Sequence, residues 1–208
     1  MIKGAKLIEF DDVPSDLVEE AKTLIESIVC SSNTIHSTNN EPCRKAPTMI
    51  HMCGIPGSGK TTYTSQFLSE NQNYSLVQFD TIMESLSGYQ QDREAHGLAE
   101  AFRRWELPAR AIGYHLLQAL VDNERNIFFD HSATNRQHLA LIQAVRERGY
   151  VVEMHYIDCS PAEASLRVIE REQRIKRHTP PALIHERHEM LQELVPSYEG
   201  LVDRFVRI

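Results

Sequence analysis

The sequence lacks any long apolar segment, and its apolar runs fall far short of the roughly 18 residues that a membrane-spanning helix needs. Its first residues include a polar or charged side chain every few positions, so we expect no secretory signal peptide and no membrane association. The four cysteines are widely spaced without a Cys-x-x-Cys pair, which disfavours a disulfide framework and a cysteine-based zinc site. We therefore expect a protein of the reducing cytoplasm.

Positive charge is also scarce. The chain of 208 residues has 22 Lys and Arg against 29 Asp and Glu, a formal net charge of -7. Because the overall field of an acidic protein does not attract a polyanion, nucleic acid is disfavoured as a substrate and a small molecule is favoured. The hydrophobic share of 41% and the charged share of 25% are those of a globular protein, and exclude collagenous and wholly disordered chains.

The composition divides the chain into three parts. Residues 1–30 contain one helical pattern, which Pro14 and Ser15 can open. Residues 31–47 are rich in Ser, Asn, Thr and Pro, which predicts a linker. Residues 48–208 alternate short apolar runs with helical patterns and predict a single domain.

The alternation in the third part predicts an α/β fold. Helical patterns separate the predicted strands, and the pattern over 94–123 suggests one or two helices interrupted near Pro108. Helices between strands require crossover connections, so we expect a three-layer sandwich: a mostly parallel sheet flanked by helices, plus an N-terminal helix. The predicted strands are residues 48–53, 75–79, 126–130, 150–158 and 205–208.

The segment GIPGSGKT at residues 54–61 matches the P-loop pattern Gly-x4-Gly-Lys-Ser/Thr and lies between a predicted strand and a predicted helix. Its glycines let backbone N–H groups face the phosphates of a nucleotide. Lys60 would face the β- and γ-phosphates, and the Thr61 hydroxyl would bind Mg²⁺. No Asn-Lys-x-Asp guanine motif is present, which argues against a GTPase. The predicted nucleotide-binding residues are Gly54, Pro56, Gly57, Ser58, Gly59, Lys60, Thr61 and Thr62.

Three motifs follow the P-loop: LVQFD at 76–80, NIFFDHSATNRQHL at 126–139 and RIKRHTPP at 174–181. In this order they resemble the motifs of the zeta-toxin family of P-loop kinases. The order is also similar to that in the kinase domain of phage polynucleotide 5′-hydroxyl kinase, and the resemblance covers about residues 48–200. It implies a kinase that uses ATP and Mg²⁺ and phosphorylates a hydroxyl group of a small acceptor, such as a nucleotide sugar or a nucleoside.

Asp80 and Asp130 each end a predicted strand, so we expect both at the carboxyl edge of the sheet, beside the P-loop. The resemblance gives Asp80 a catalytic role, aligning the acceptor hydroxyl or accepting its proton. Asp130 would hold Mg²⁺ or bind the acceptor. Two alternatives remain open: Asp80 could be a helix N-cap, and Asp130 could be a turn residue at the end of its strand.

Three arginines, Arg171, Arg174 and Arg177, belong to a basic stretch where related kinases have a lid over the ATP phosphates. With Lys60 and Asp80 they complete the predicted catalytic set. The alternative is a solvated helix face with ion pairs. We expect the acceptor pocket over residues 94–123, with Arg104 binding the acceptor, although a packed helix pair with a charged outer face explains the same pattern.

Two other functions remain open. The first is a polynucleotide 5′-hydroxyl kinase, although Met83 stands where the phage enzyme has a phosphate-binding arginine. The second is a non-catalytic nucleotide-binding protein whose N-terminal helix docks a partner. The resemblance to zeta toxins also allows an antitoxin-like protein partner.

Overall fold

The computed structural model describes residues 12–31, 46–175 and 181–208. Its strands are β1 (Thr48–Cys53), β2 (Ser75–Gln78), β3 (Ile127–Asp130), β4 (Val151–Tyr156) and β5 (Arg204–Arg207). Its helices are α1 (Val18–Ser31), α2 (Lys60–Glu70), α3 (Phe79–Ser85), α4 (Ser87–His96), α5 (Leu98–Asp122), α6 (Gln137–Glu147), α7 (Pro161–Ile175) and α8 (Pro181–Leu201). Most of the predicted linker lies outside the described residues.

Within the described residues the five strands form one parallel sheet in the order β2-β3-β1-β4-β5. The predicted parallel α/β architecture is therefore confirmed, and all five predicted strands are present with their ends moved by at most two residues. None of the described helices combines the length and the apolar character needed to cross a bilayer.

Side chains of β1 alternate between the two faces of the sheet, as strand geometry requires. Met49 and Cys53 belong to the larger hydrophobic core, which also includes residues of α5, α6 and α8. Ile50 and Met52 belong to a smaller core on the other face, which α2 covers with Tyr63 and its neighbours. Both faces of β1 are buried, and this explains why its sequence is almost continuously apolar.

The predicted interruption near Pro108 is wrong. Helix α5 continues through Pro108, and the break lies earlier, at Gly97, which has a positive φ of 84° between α4 and α5. Proline removes one backbone hydrogen bond from a helix. Here the buried residues that follow it, among them Ala109 and Ile112, keep α5 packed in the core.

The predicted N-terminal helix is present as α1. Its approach is a turn in which the Leu17 N–H donates to the carbonyl oxygen of Pro14 over 2.9 Å. Leu17 and Ala21 are buried, and the Glu20 carboxylate accepts the Ser87 backbone N–H at the start of α4 over 2.9 Å. The helix therefore packs against the rest of the fold.

Candidate active site

The loop of residues 54–59 joins β1 to α2, which is the strand–loop–helix arrangement that the motif predicted. Gly57 and Gly59 have positive φ angles of 85° and 103°, in the region that favours glycine. A Cβ atom at position 57 would lie 2.4 Å from the carbonyl oxygen of Ala164 in α7. Glycine is therefore required at position 57 by backbone conformation and by the close approach of α7.

Lys60 is the first residue of α2, and its Nζ donates to the carbonyl oxygens of Gly54 and Ile55 over 2.8 and 3.0 Å. Burial lowers the pKa of this amine, and the charge of Asp130 is the strongest opposing influence, with Asp80 also contributing. The two carboxylates that the sequence predicted beside the P-loop therefore lie within electrostatic reach of Lys60. The predicted Thr61 and Thr62 follow Lys60 and are exposed.

Asp130 is the last residue of β3 and is 7% exposed. Its Oδ2 accepts two hydrogen bonds, one from Thr64 Oγ1 over 3.0 Å and one from Gln78 Nε2 over 2.6 Å. Burial raises the pKa of this carboxyl group, and Lys60 and the two hydrogen bonds oppose that rise. Within the described residues both hydrogen bonds go to one carboxylate oxygen, so Oδ1 is the oxygen left for a ligand.

Asp80 does not end a strand. The predicted strand over 75–79 stops at Gln78, and Asp80 is the second residue of α3. The residue at the N-cap position is Gln78, so Asp80 is not the cap of this helix either. Its carboxylate belongs to the first helical turn, where the partial positive charge of the helix N-terminus stabilises an anion.

Helix α7 carries the predicted lid arginines. Ser160 Oγ accepts the Glu163 N–H over 3.2 Å, which is one half of a capping box at the start of this helix. The charge of Arg171 lowers the pKa of Lys60, so its guanidinium lies within electrostatic reach of the P-loop. Arg174 is in the last part of α7, and Arg177 lies outside the described residues.

Arg167 belongs to the same basic stretch but is not among the three arginines predicted as catalytic, yet it contacts the P-loop directly. Its Nη1 donates to the carbonyl oxygen of Ser58 over 3.1 Å, and its Nη2 bonds Glu163 over 2.5 Å. The available signal was its position one turn before Arg171 on the same helix face. Thr64 and Gln78, the two partners of Asp130, were missed, because Thr64 belongs to no motif and the motif LVQFD was used only for its aspartate, Asp80.

The structure supports the alternative interpretation of the residues around Arg104. Its guanidinium bonds Glu100 over 2.8 Å and Asp92 over 3.3 Å, and Asp92 also accepts the Trp105 indole N–H over 2.8 Å. A Cβ atom at Gly88 would lie 2.3 Å from the Trp105 ring, so α4 and α5 are in close contact here. These contacts describe a packed helix pair with a charged outer face, and the acceptor-binding role of Arg104 stays a prediction.

Comparison with known proteins gives one family. The family model described as Zeta toxin matches residues 32–206, which is most of the chain. A sequence search of curated proteins finds no match.

Solved structures share this fold at low sequence identity. A chain of the PezAT chromosomal toxin–antitoxin system of Streptococcus pneumoniae is 17% identical, with a TM-score of 0.70 over 98% of this chain and 79% of that one. A putative kinase from Chloroflexus aurantiacus is 17% identical, with a TM-score of 0.56 over 80% of this chain and 86% of that one. A chain of the AvrRxo1-ORF1:-ORF2 complex with ATP is 14% identical, with a TM-score of 0.66 over 88% of this chain and 58% of that one.

Proposed function

This chain belongs to the zeta-toxin family, and from this membership we propose that it is an ATP-dependent kinase acting on a hydroxyl group of a small molecule. The acceptor class that we propose is a nucleotide sugar or a nucleoside. One observation carries the proposal: Asp130, at the end of β3, accepts a hydrogen bond from Thr64 of the helix that follows the P-loop, and its charge and that of Asp80 both act on Lys60. A P-loop that only binds a nucleotide does not need a second carboxylate for the acceptor.

We assign a separate role to each carboxylate. Asp80, in the first turn of α3, would align the acceptor hydroxyl and accept its proton as the new phosphate ester forms. Asp130 is held by Thr64 and Gln78 through Oδ2, so among the described residues Oδ1 is the oxygen available as a ligand. A carboxylate that is held in one orientation, as Asp130 is, is suited to binding a metal ion or the acceptor. A carboxylate that accepts the proton, as proposed for Asp80, has to contact the acceptor hydroxyl.

Oxygen donors at this site fit the metal ion that accompanies ATP. Mg²⁺ prefers carboxylate, hydroxyl and phosphate oxygens, and the Thr61 hydroxyl and the Asp130 carboxylate are groups of this kind. When bound, the ion would offset negative charge on the phosphates. The backbone N–H groups of the P-loop and Lys60 would hold the β- and γ-phosphates, and Arg171, Arg174 and Arg177 would neutralise charge on them.

We also propose a protein partner and a cytoplasmic location. Two of the similar structures are toxin–antitoxin or paired-chain complexes, which supports an antitoxin-like partner for this chain as well. The location follows from the cysteine spacing, which suits a reducing compartment.

The decisive experiment is transfer of labelled γ-phosphate from ATP into nucleotide sugars, nucleosides and 5′-hydroxyl oligonucleotides. Lys60→Ala and Asp80→Asn would be compared with Lys22→Ala and Asp122→Asn, which change the same residue types outside the site. We expect label in one small-acceptor class, lost in the first two variants and kept in the two controls. Label in oligonucleotides alone would favour the polynucleotide kinase, and ATP binding without transfer would favour the non-catalytic function.

A further inference from the structure

Three histidines that are far apart in the sequence meet in the larger core. His51 is in β1, His131 directly follows β3, and His138 is in α6. One ring nitrogen of each lies within 4.8 Å of the corresponding nitrogens of the other two. The ring centroids of His131 and His138 are 4.5 Å apart, and those of His51 and His138 are 4.9 Å apart.

His51 has no hydrogen-bond partner for either ring nitrogen within the described residues, although its side chain is completely buried. Its ring stacks on Phe129 at a centroid distance of 4.9 Å. Buried polar atoms are almost always paired, so two orphaned nitrogens on one ring point to a missing ligand. Packing alone would be served better by a phenylalanine or a leucine at this position.

His138 has one ring nitrogen in a hydrogen bond and one without a partner among the described residues. Its Nε2 lies 2.9 Å from the hydroxyl oxygen of Tyr114, and its buried Nδ1 has no partner within the described residues. If Nε2–H donates to Tyr114, Nδ1 has a free lone pair directed into the cluster. A second-shell hydrogen bond of this type fixes the tautomer and the ring orientation of a ligand.

His131 completes the set and is its most accessible member. Its Nδ1 accepts the Ala133 N–H over 3.1 Å, which in the neutral ring leaves the proton on Nε2. Binding a metal ion through Nε2 would require this proton to move to Nδ1, and the Ala133 amide would then lose its acceptor. We therefore expect His131 to be the weakest of the three ligands.

We propose that His51, His131 and His138 form a binding site for one divalent transition-metal ion of the Zn²⁺ class. Three imidazole nitrogens suit Zn²⁺, Co²⁺ or Ni²⁺, whereas Mg²⁺ prefers oxygen donors. Zinc–nitrogen bonds of about 2.0–2.1 Å in tetrahedral geometry put ligand nitrogens about 3.3 Å apart. The nitrogens lie within 4.8 Å of one another, so metal binding would draw them together, and the fourth position would be left for water.

The surroundings of the three rings disfavour a positive charge on them. Burial is the main cause that lowers the pKa of all three histidines, and Arg110 contributes for His131 and His138. A metal ion binds imidazole in its neutral form. The positive charge of Arg110 also opposes a cation, but the adjacent Glu106 carboxylate bonds this guanidinium over 2.7 Å and offsets it.

The test is titration of the full chain, without a histidine tag and after chelator treatment, with Co²⁺ and then Zn²⁺. All proteins in this titration carry Cys30→Ser, because the exposed Cys30 thiol would also bind these ions. Visible absorption of Co²⁺ reports four-coordinate nitrogen ligation, and calorimetry gives the Zn²⁺ stoichiometry and affinity. We expect one ion per chain, with a rise in melting temperature because only the folded protein forms the site.

The variants are His51→Gln and His138→Gln, each checked by circular dichroism for a folded chain. The matched control is His155→Gln, because His155 is also buried but packs against Tyr63 and Phe67 on the other face of the sheet. We expect each cluster variant to lower the metal affinity by at least about tenfold, and the control to keep it. Two variants guard against one of them failing to fold.

Two results would overturn the metal site. The first is a Cys30→Ser protein that binds neither Co²⁺ nor Zn²⁺, or binds them equally well after both cluster substitutions. The second is displacement of the bound Co²⁺ by millimolar Mg²⁺, which would assign the ion to oxygen ligands at the nucleotide site. Neither result depends on kinase activity, so the metal site and the proposed reaction can fail independently.

Discussion

The side-chain amide of Gln78 donates a hydrogen bond to Oδ2 of Asp130 over 2.6 Å. The two residues are also register partners at the carboxyl ends of β2 and β3. Gln78 is the residue just before α3, whose first turn contains Asp80. One hydrogen bond thus links the segment that carries the proposed catalytic carboxylate to the carboxylate proposed as a ligand.

Removing this bond tests whether Asp130 must be held in one orientation. We expect Gln78→Ala to lower kcat about tenfold or more, because a hydrogen bond to a charged group contributes about 1.5–3 kcal/mol. ATP affinity should change little, since Gln78 belongs to no part of the P-loop. Steady-state kinetics against Gln143→Ala, an exposed glutamine of α6, would check this. Wild-type turnover in Gln78→Ala would contradict a positioning role.

Gly57 provides a test of the P-loop backbone. In Gly57→Ala the new Cβ would meet the Ala164 carbonyl oxygen at 2.4 Å and the residue would keep a φ of 85°. We expect a loss of about 1–3 kcal/mol in unfolding free energy and impaired ATP binding. Urea unfolding and nucleotide titration would measure both.

The matched control for Gly57→Ala is Gly200→Ala. Gly200 lies in α8, and a Cβ atom there would have no neighbour within 4 Å. Alanine is the better helix former, so this variant should gain up to about 1 kcal/mol. Equal effects of the two substitutions would show that the contact between α7 and the P-loop is unimportant.

Arg167 is expected to hold α7 against the P-loop. Its Nη1 donates to the Ser58 carbonyl oxygen over 3.1 Å, so Arg167→Ala should raise KM for ATP several-fold with a smaller change in kcat. Arg103→Ala is a suitable control, because Arg103 is an exposed arginine that pairs with Glu100 on its own helix. A change in kcat alone would instead place Arg167 among the groups that neutralise charge in the transition state.

Asp203 gives a prediction for the pH dependence of stability. The Val152 amide donates to its Oδ2 over 2.8 Å and Arg146 pairs with it at 2.7 Å, and these contacts hold the pKa of the carboxyl group below its ordinary value. Its contribution is therefore complete above the unfolded-state pKa of about 3.9 and is lost as the pH falls through the lower folded-state pKa.

The variant to compare is Asp203→Asn, with Asp122→Asn as the control. At pH 7 we expect Asp203→Asn to lower the unfolding free energy by about 1–2 kcal/mol, and the difference from wild type to shrink as the pH falls below about 4. Urea denaturation at several pH values would measure it. A difference that stays constant from pH 7 to the acid limit would argue against a charged Asp203 in the folded protein.

Much of the fold could be predicted from local sequence signals. The strand at Thr48–Cys53 and the P-loop after it were found because an apolar run followed by glycines and Lys60 specifies strand, loop and helix within 20 residues. The cap of α7 by Ser160 is a signal of the same short range, since the hydroxyl acts on a backbone group three residues away. Such short-range sequence patterns predict local structure because they depend only on residues that are close together in the chain.

Other features depended on packing between distant parts of the chain. The start of α3 at Phe79 and the continuity of α5 through Pro108 run against local preference, and burial of α5 in the core outweighs the cost of its proline. The contact of Arg167 with Ser58 joins residues 109 positions apart. The histidine cluster likewise forms only because β1, β3 and α6 lie next to one another in the fold. The spacing of the three histidines in the sequence does not predict this proximity.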